Sequence, residues 1–117
     1  MLSHYYLITF ELTIYVINLR AVKKYYVYIL KCSDDSYYDG VTSNLESRII
    51  KHNTGFYKWS YTSSRRPLEL VYYCEFTDII MVIDKEKQIK KWSRAKKEAL
   101  INGDFDLLVN LAMKKFD

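Results

Sequence analysis

The sequence contains few residues that cross-link a chain or bind zinc, since its only cysteines are Cys32 and Cys74. They form no CxxC pair and have no paired histidines nearby in the sequence, which argues against a zinc site and against a disulfide-stabilised scaffold. Cys74 ends one predicted strand and Cys32 directly follows another, and a buried free thiol is common beside such apolar segments. A reducing, cytoplasmic location is therefore expected.

The sequence also lacks a long hydrophobic run. Its most apolar stretch, residues 5–17, is interrupted by a glutamate and is shorter than the roughly 20 residues that span a bilayer. No basic stretch precedes it, so neither a signal peptide nor stable membrane insertion is expected. Three interpretations stay open for this N-terminal extension, residues 1–22: an additional strand, a membrane-surface tether, or translated sequence upstream of the true start. The last is favoured because the patterned part begins near Lys23 and no Met occurs between Met1 and Met81.

Glycine and proline are scarce, with three and one among 117 residues, and no repeat or low-complexity linker is visible. A chain of this length, half of it hydrophobic, suits one compact domain with a modest core. Apolar periodicity and capping residues predict an α+β fold with three strands and four helices for residues 23–117. The predicted elements are strands over 25–31 and 36–42, a helix over 45–52 capped by Asn44, a strand over 68–74, a helix from Asp78 to about Lys91, a helix over 94–101 capped by Ser93, and a helix over 105–115.

Positive charge is slightly in excess, because 18 Lys and Arg against 14 Asp and Glu give a formal net charge of +4. An excess this small does not establish nucleic-acid binding, but its distribution is uneven. Clustered basic side chains suit a phosphate backbone, since each neutralised phosphate releases counterions. The alternative is an ordinary solvated helix face. The candidate nucleic-acid-binding residues are Arg65, Arg66, Lys90, Lys91 and Arg94.

Polar side chains occupy positions that the periodicity predicts to face inward. In the helix that begins at Leu45, Arg48 and His52 share the inward face with Leu45 and Ile49. In the next helix, Glu86 lies within an apolar stripe. A buried unpaired carboxylate is costly, so Glu86 requires a metal ion, a buried arginine such as Arg48, or hydrogen-bond donors. The residues of that stripe are Ile79, Val82, Ile83 and Ile89.

Tyrosine is unusually common, with twelve copies against five phenylalanines. Tyrosine packs well in half-wet strands, which explains most of the copies individually. Two of them, Tyr28 and Tyr38, lie on the strands of the predicted hairpin. Together with Arg48, His52 and Glu86, they form a polar cluster in an otherwise apolar domain, and such a cluster indicates a functional site.

These residues and their spacing resemble the GIY-YIG nuclease superfamily, and most of all its small single-domain bacterial branch. The resemblance covers about residues 24–102 and does not include the N-terminal extension. The family fold that it implies is a small antiparallel three-stranded sheet flanked by helices. The residues that carry it are, in order, Tyr26-Val27-Tyr28, Tyr38-Asp39-Gly40, Arg48, His52 and Glu86.

The resemblance implies hydrolysis of DNA phosphodiester bonds with one divalent cation, Mg²⁺ or Mn²⁺, and RNA is not excluded as a substrate. Carried over by position, Glu86 holds the metal, Tyr28 is the general base or orients the water, and Arg48 bears on the phosphate. Tyr38 hydrogen-bonds the water or phosphate, and His52 assists proton transfer or orients Tyr28. No small-molecule cofactor and no obligate protein partner are expected.

The sequence departs from the family pattern at two places. The first motif reads Tyr-Val-Tyr instead of Gly-Ile-Tyr, and Asp39 occupies a position that is usually apolar or Thr. Strand alternation places Asp39 on the face opposite Tyr38, beside Tyr37 and Val41. Asp39 is therefore expected to add a buried charge that needs a partner, without displacing a catalytic group.

Two functions remain open at this point. The first is an active endonuclease, and because no helix presents an evident set of base-reading side chains, structure-directed or weakly sequence-specific cutting is expected. The second is a nucleic-acid-binding module on the same fold without useful catalysis. Retention of all five catalytic-type residues speaks against the second, since binding alone requires neither Glu86 nor Tyr28.

Overall fold

A computed structural model of the protein describes Leu12 and residues 22–113, and these residues form the predicted α+β fold. Three antiparallel strands make one sheet in the order β2-β1-β3, so β1 is the central strand. Four helices flank the sheet. The elements are β1 (Tyr25–Lys31), β2 (Tyr37–Thr42), α1 (Leu45–Asn53), β3 (Glu69–Phe76), α2 (Ile79–Lys90), α3 (Arg94–Ile101) and α4 (Phe105–Met113).

The helix starts follow the capping residues read from the sequence. The Asn44 side chain accepts a hydrogen bond from the Ser47 amide, and the Asp78 side chain accepts from two amides in the first turn of α2. The Ser93 hydroxyl accepts from the Lys96 amide at the start of α3. Each cap satisfies amide groups that have no partner inside their own helix, so the three starts are fixed locally.

The strand ends differ slightly from the prediction because the neighbouring strand decides them. β3 runs to Phe76 instead of ending at Cys74, since Phe76 pairs with Tyr25 at the start of β1. β2 begins at Tyr37, which pairs with Lys31 at the end of β1. The predicted end of the last helix, at residue 115, lies outside the described residues.

The two faces of the sheet carry separate cores. On one face, Val27 and Ile29 of β1 pack with a set of side chains from the later helices. On the other face, Tyr28 and Leu30 pack with Cys32 and Leu68, and with partly buried side chains of α1. Helices α2 and α3 therefore cover one face of the sheet and α1 covers the other, as strand alternation requires. The helix residues buried on the first face are Val82, Ile89 and Leu100.

The predicted apolar stripe of α2 is wrong at two positions. Val82 and Ile89 are fully buried, but Ile79 and Ile83 remain 49% and 38% exposed. The buried residues are seven apart, so the helix meets the sheet along a narrow line instead of a broad face. Its first turn packs little, since Ile80 and Met81 are exposed as well.

The N-terminal extension lies outside the described residues except for Leu12 and Val22. Its three interpretations therefore stay predictions. Within the described part of the chain, every helix is too short or too polar to cross a membrane.

Candidate active site

Tyr28 and His52 form a buried polar pair between the sheet and α1. Tyr28 has no exposed surface and His52 is 2% exposed. The Tyr28 Oη lies 3.1 Å from the His52 Nε2, within hydrogen-bond distance. Gly40 is the partner of Tyr28 across the β1–β2 ladder, and a Cβ at this position would overlap the Tyr28 Cζ and Oη. Glycine at this position therefore leaves room for the tyrosine ring.

The second ring nitrogen of His52 is held as well. Its Nδ1 lies 2.8 Å from the Thr62 Oγ1, and that oxygen lies 2.8 Å from the Ser60 Oγ. Thr62 is 1% exposed. A continuous hydrogen-bonded chain thus runs from Tyr28 through His52 and Thr62 to Ser60. The sequence analysis missed Thr62 and Ser60, because loop residues follow no periodic pattern that assigns them a face.

Arg48 lies one helical turn before His52 and reaches the same region. Its guanidinium is 5.4 Å from the centre of the Tyr57 ring, and the Tyr57 ring is 4.9 Å from the His52 ring. Tyr57 therefore covers the imidazole and contacts the arginine at the same time. Among the described residues, no carboxylate lies within ion-pair distance of Arg48. Its charge is consequently available to an anion.

Burial controls the protonation of the pair. Burial raises the pKa of the Tyr28 hydroxyl far above its usual value, and Tyr38 raises it further, whereas the Arg48 guanidinium lowers it. Burial also lowers the pKa of His52 below 6.5, and the positive charge of Arg48 adds to this effect. His52 is therefore neutral at pH 7 and able to accept a hydrogen bond from the protonated tyrosine.

Tyr38 completes the group of predicted residues that the structure brings together. Its ring centre is 5.3 Å from His52, and 6.4 Å from Tyr61 with the two planes 15° apart. Tyr38 and Tyr61 also line a cavity of about 330 Å³ at the free edge of β2. The remaining lining residues are Tyr37, Asp39, Lys90 and Lys97. We call Tyr28, Tyr38, Arg48 and His52 the tyrosine–histidine cluster.

Glu86 lies apart from the tyrosine–histidine cluster. Helix α2 packs on the opposite face of the sheet from Tyr28, and the Glu86 side chain is largely buried, with 16% exposed. Its Oε1 lies 3.8 Å from the Lys90 Nζ, so its partner in the structure is Lys90 and not Arg48, which was one of the partners that the sequence left open. The reason is that Arg48 belongs to α1 on the other face. Lys90 also lines the cavity beside Tyr38, and the two groups of residues approach each other there.

Asp39 has the buried position and the partner that its sequence context requires. Its side chain is 3% exposed, and its Oδ2 lies 2.8 Å from the Nζ of Lys97, which is 13% exposed. It faces the side of the sheet opposite Tyr38, as strand alternation predicts. Among the described residues, the Asp39 Oδ1 has no hydrogen-bond partner. The pair fastens α3 to the edge strand β2.

Most of the candidate nucleic-acid-binding residues form ion pairs or hydrogen bonds within the protein. Arg65 pairs with Asp34 at 3.0 Å, and Arg66 donates to the Ser63 carbonyl at 3.1 Å. Arg94 pairs with Glu98 at 2.9 Å, as Lys90 pairs with Glu86. Lys91 is exposed at the end of α2. Surface pairs of this kind are weak, so they limit but do not prevent contact with phosphate.

Comparison with known proteins identifies the family of the chain. The sequence model of the GIY-YIG catalytic domain matches residues 24–99. The chain belongs to the GIY-YIG family. The resemblance read from the motifs is therefore confirmed, and the family consists of nucleases, which act on nucleic acids.

Relatives of the chain include small bacterial proteins named UPF0213. A UPF0213 protein of Syntrophus aciditrophicus is 49% identical over 80 residues, which covers 68% of this chain and 92% of that protein. A UPF0213 protein of Lactiplantibacillus plantarum is 45% identical over 81 residues, covering 68% and 80%. The GIY-YIG domain of this chain is thus similar to nearly the whole of some relatives.

Two solved structures are similar to this chain. The solution structure of protein EF2693 from E. faecalis has a TM-score of 0.52 and 31% identity, covering 71% of this chain and 88% of that one. The solution structure of UPF0213 protein BH0048 from Bacillus halodurans is 39% identical over 68% of this chain and 83% of that one, with a TM-score of 0.46. The similarity to the EF2693 structure supports the α+β architecture of this chain.

Proposed function

We propose that this GIY-YIG protein is an endonuclease that hydrolyses DNA phosphodiester bonds with one divalent cation, acting at the tyrosine–histidine cluster. The observation that carries the proposal is the buried hydrogen bond between Tyr28 and His52 beside Arg48. A proton donor, a neutral proton acceptor and a permanent positive charge are together there. Phosphodiester hydrolysis can use all three, since a water must lose a proton while negative charge develops on the phosphate.

Tyr28 and His52 act as a proton relay in this proposal. The attacking water gives its proton to the Tyr28 oxygen, while the Tyr28 hydroxyl proton passes to the His52 Nε2. Because burial raises the pKa of Tyr28, a lasting tyrosinate is unfavourable, and the relay avoids forming one. His52 becomes the cation at the end of this step, so it must start neutral. Its lowered pKa ensures that at pH 7.

Arg48 binds the phosphate. The planar fork of a guanidinium matches two phosphate oxygens, and its charge stabilises the negative charge that develops in the transition state. In the structure Arg48 contacts the Tyr57 ring and not a carboxylate. Since Tyr28 has no exposed surface and His52 is 2% exposed, a local rearrangement is required before a phosphate reaches the Tyr28 hydroxyl. Tyr38, at the mouth of the same region, is placed to hydrogen-bond the phosphate or the water.

Glu86 is suited to hold the divalent cation. It is a largely buried carboxylate whose ion pair with the exposed Lys90 is long, at 3.8 Å, so its oxygens are available to a harder cation. No group of three His, Cys, Asp or Glu stands together among the described residues. The chain would thus supply one carboxylate and leave the other ligands to water and phosphate, a set that suits Mg²⁺ or Mn²⁺. A bound cation would supply Lewis-acid stabilisation of the phosphate and of the leaving oxygen.

Basic side chains around the cavity provide the contact with the backbone of the substrate. Lys90 is 70% exposed and becomes free for phosphate when Glu86 binds another cation. Lys91 is exposed at the end of the same helix. The guanidiniums of Arg65 and Arg94 lie 3.7 Å and 4.6 Å from the centres of the Tyr61 and Tyr37 rings, which line the cavity, and Arg66 follows Arg65 in the chain. These groups read charge and not base identity, which favours structure-directed or weakly sequence-specific cutting.

Cleavage assays with matched variants test the proposal. Labelled duplex, flap, branched and single-stranded DNA are incubated with Mg²⁺, Mn²⁺ or EDTA. Tyr28→Phe and Glu86→Gln should each lower the rate about 100-fold or more, because each removes a group that acts on the reacting atoms. Tyr26→Phe on the same strand and Asp84→Asn on the same helix should leave the rate unchanged.

The opposite result would support the alternative function, a binding module. In that case DNA is bound, no metal supports cutting, and Glu86→Gln binds as well as the unmodified protein. If the Tyr28→Phe variant still cuts DNA with the same pH profile, the proton relay is ruled out, but the proposed nuclease activity is supported.

A further inference from the structure

The loop between α1 and β3 exposes large aromatic side chains next to the tyrosine–histidine cluster. Trp59 is 99% exposed, Phe56 is 63% exposed and Tyr61 is 44% exposed. They lie within six consecutive residues. Single exposed apolar residues are ordinary, but three large exposed rings in one short loop are unusual and indicate a binding surface. We call these three residues the aromatic platform.

The aromatic platform is joined to the active site at both of its ends. The Tyr61 ring lies nearly parallel to Tyr38, with centres 6.4 Å apart. The Phe56 ring meets the Tyr57 ring edge-on at 5.2 Å, and Tyr57 covers His52. A ligand that contacts the platform is therefore adjacent to the residues proposed to act on the phosphate.

The loop that carries the aromatic platform holds only positive charges of its own, although Asp34 pairs with Arg65 and Asp39 lines the cavity beside Tyr61. Residues 47–68 contain no Asp or Glu, and they contain five Lys and Arg residues. The Lys51 Nζ lies 5.1 Å from the centre of the Phe56 ring, and the Arg65 guanidinium lies 3.7 Å from that of Tyr61. Lys58 is exposed beside Trp59. Aromatic rings interleaved with cations are the features that single-stranded nucleic acids require, because the bases stack and the phosphates need positive charge.

We propose that Phe56, Trp59 and Tyr61 bind unpaired nucleobases by stacking, and so hold a single-stranded segment of nucleic acid against the active site. Bases inside a continuous duplex are already stacked on their neighbours, so aromatic side chains reach only those that are unpaired. The preferred substrate class is consequently nucleic acid with unpaired nucleotides at the cut. This inference rests on the proposed function for the consequence of binding, but the binding itself is measured without cleavage.

Tryptophan fluorescence provides the direct measurement. The sequence has two tryptophans, Trp59 and Trp92, so a Trp92→Phe protein reports on Trp59 alone. It is titrated in EDTA with a dodecamer of deoxyuridylate, a dodecamer of uridylate and a blunt hairpin duplex. Stacking should quench Trp59 with both single strands and much less with the duplex. The two single strands distinguish DNA from RNA, since a difference between them measures the contribution of the sugar.

Affinity measurements with matched variants complete the test. Trp59→Ala should weaken single-strand binding about 5- to 150-fold, the range found for the loss of one base–aromatic stack. Phe105→Ala, which removes a ring that is 64% exposed on α4, should have no effect. The slope of the logarithm of the binding constant against the logarithm of the salt concentration should be unchanged in Trp59→Ala. In Lys58→Ala its magnitude should decrease by about 1, the value for the loss of one phosphate contact.

Two results would overturn the stacking proposal: equal affinity for single strand and duplex, or unchanged single-strand binding in Trp59→Ala. The platform would then be a surface for another protein. Failure of the proposed function gives a different result, because base-stacking binding in EDTA would persist while no metal supports cutting.

Discussion

The Oη of Tyr28 on the central strand and the Nε2 of His52 on α1 lie 3.1 Å apart in a region closed to solvent. Strand and helix each contribute one member, so the pair exists only because α1 packs on that face of the sheet. Thr62 holds the far side of the imidazole, and Gly40 leaves room for the tyrosine ring. This arrangement leads to three testable predictions, and the ion pair of Asp39 and Lys97 on the other face of the sheet leads to a fourth.

His52 should make stability depend on pH. Its pKa in the folded protein lies below 6.5, so between that lowered value and 6.5 the unfolded chain binds a proton that the folded chain does not. Stability is therefore fully present above pH 6.5 and decreases as pH falls through this window. Urea unfolding at pH 7.5 and 5.5 should show a smaller difference in His52→Gln than in the unmodified protein. The control is His4→Gln, since His4 is the only other histidine. An identical pH difference in His52→Gln would contradict the prediction.

Thr62 should position His52 for proton transfer. Thr62→Val keeps the shape of the side chain but removes the hydroxyl 2.8 Å from the His52 Nδ1, which leaves a buried nitrogen without its partner. We expect a loss of stability of about 1–3 kcal/mol and a shift in the pH profile of cleavage. Thr62→Ser, which retains the hydroxyl, should restore the profile. Thr54→Val, which removes an exposed hydroxyl at the end of α1, should leave the profile unchanged. A normal profile in Thr62→Val would show that its role is packing alone.

Gly40→Ala should displace the Tyr28 ring. The added methyl group overlaps the Tyr28 Cζ and Oη, and a buried ring has little room to move, so we expect destabilisation of about 1–3 kcal/mol. The cleavage rate should also decrease, because the Tyr28 hydroxyl would move out of hydrogen-bond distance of the His52 Nε2. In a Tyr28→Phe background the added cost should be smaller, because one of the overlapping atoms is gone. Equal costs in the two backgrounds, measured by urea unfolding, would argue against contact with the hydroxyl.

Asp39 and Lys97 should be strongly coupled. Removal of one member leaves the other as a buried charge without a partner, so Lys97→Met or Asp39→Val alone should cost about 3–5 kcal/mol. The double variant should recover most of this loss, because an apolar pair of similar size fits between β2 and α3. A double-mutant cycle by chemical denaturation measures the coupling. The same cycle on the exposed pair Arg94 and Glu98 should give less than about 1 kcal/mol. Additive losses at Asp39 and Lys97 would show that the two side chains act independently.

The helices and strands were predictable because their signals are local. The caps Asn44, Asp78 and Ser93 fix helix starts within three residues of themselves, and alternation assigns each strand residue to a face. The face of Asp39 and the meeting of Tyr28 with His52 followed from the same rules and from the family pattern. The predictions that failed depend on contacts with other elements. The ends of β3 depend on its pairing with β1, and the exposure of Ile79 and Ile83 depends on how α2 packs on the sheet.

The sequence alone determined the fold class, the family, the residues of the tyrosine–histidine cluster and the need of Asp39 for a partner. These rest on periodicity, on capping and on motif spacing, all of which are properties of short segments. Only the tertiary structure decided which residues meet across long separations. It selected Lys97 for Asp39, 58 residues apart, and it brought Thr62 from an irregular loop to His52. Such contacts depend on the packing of whole elements across the sheet, which no local pattern encodes.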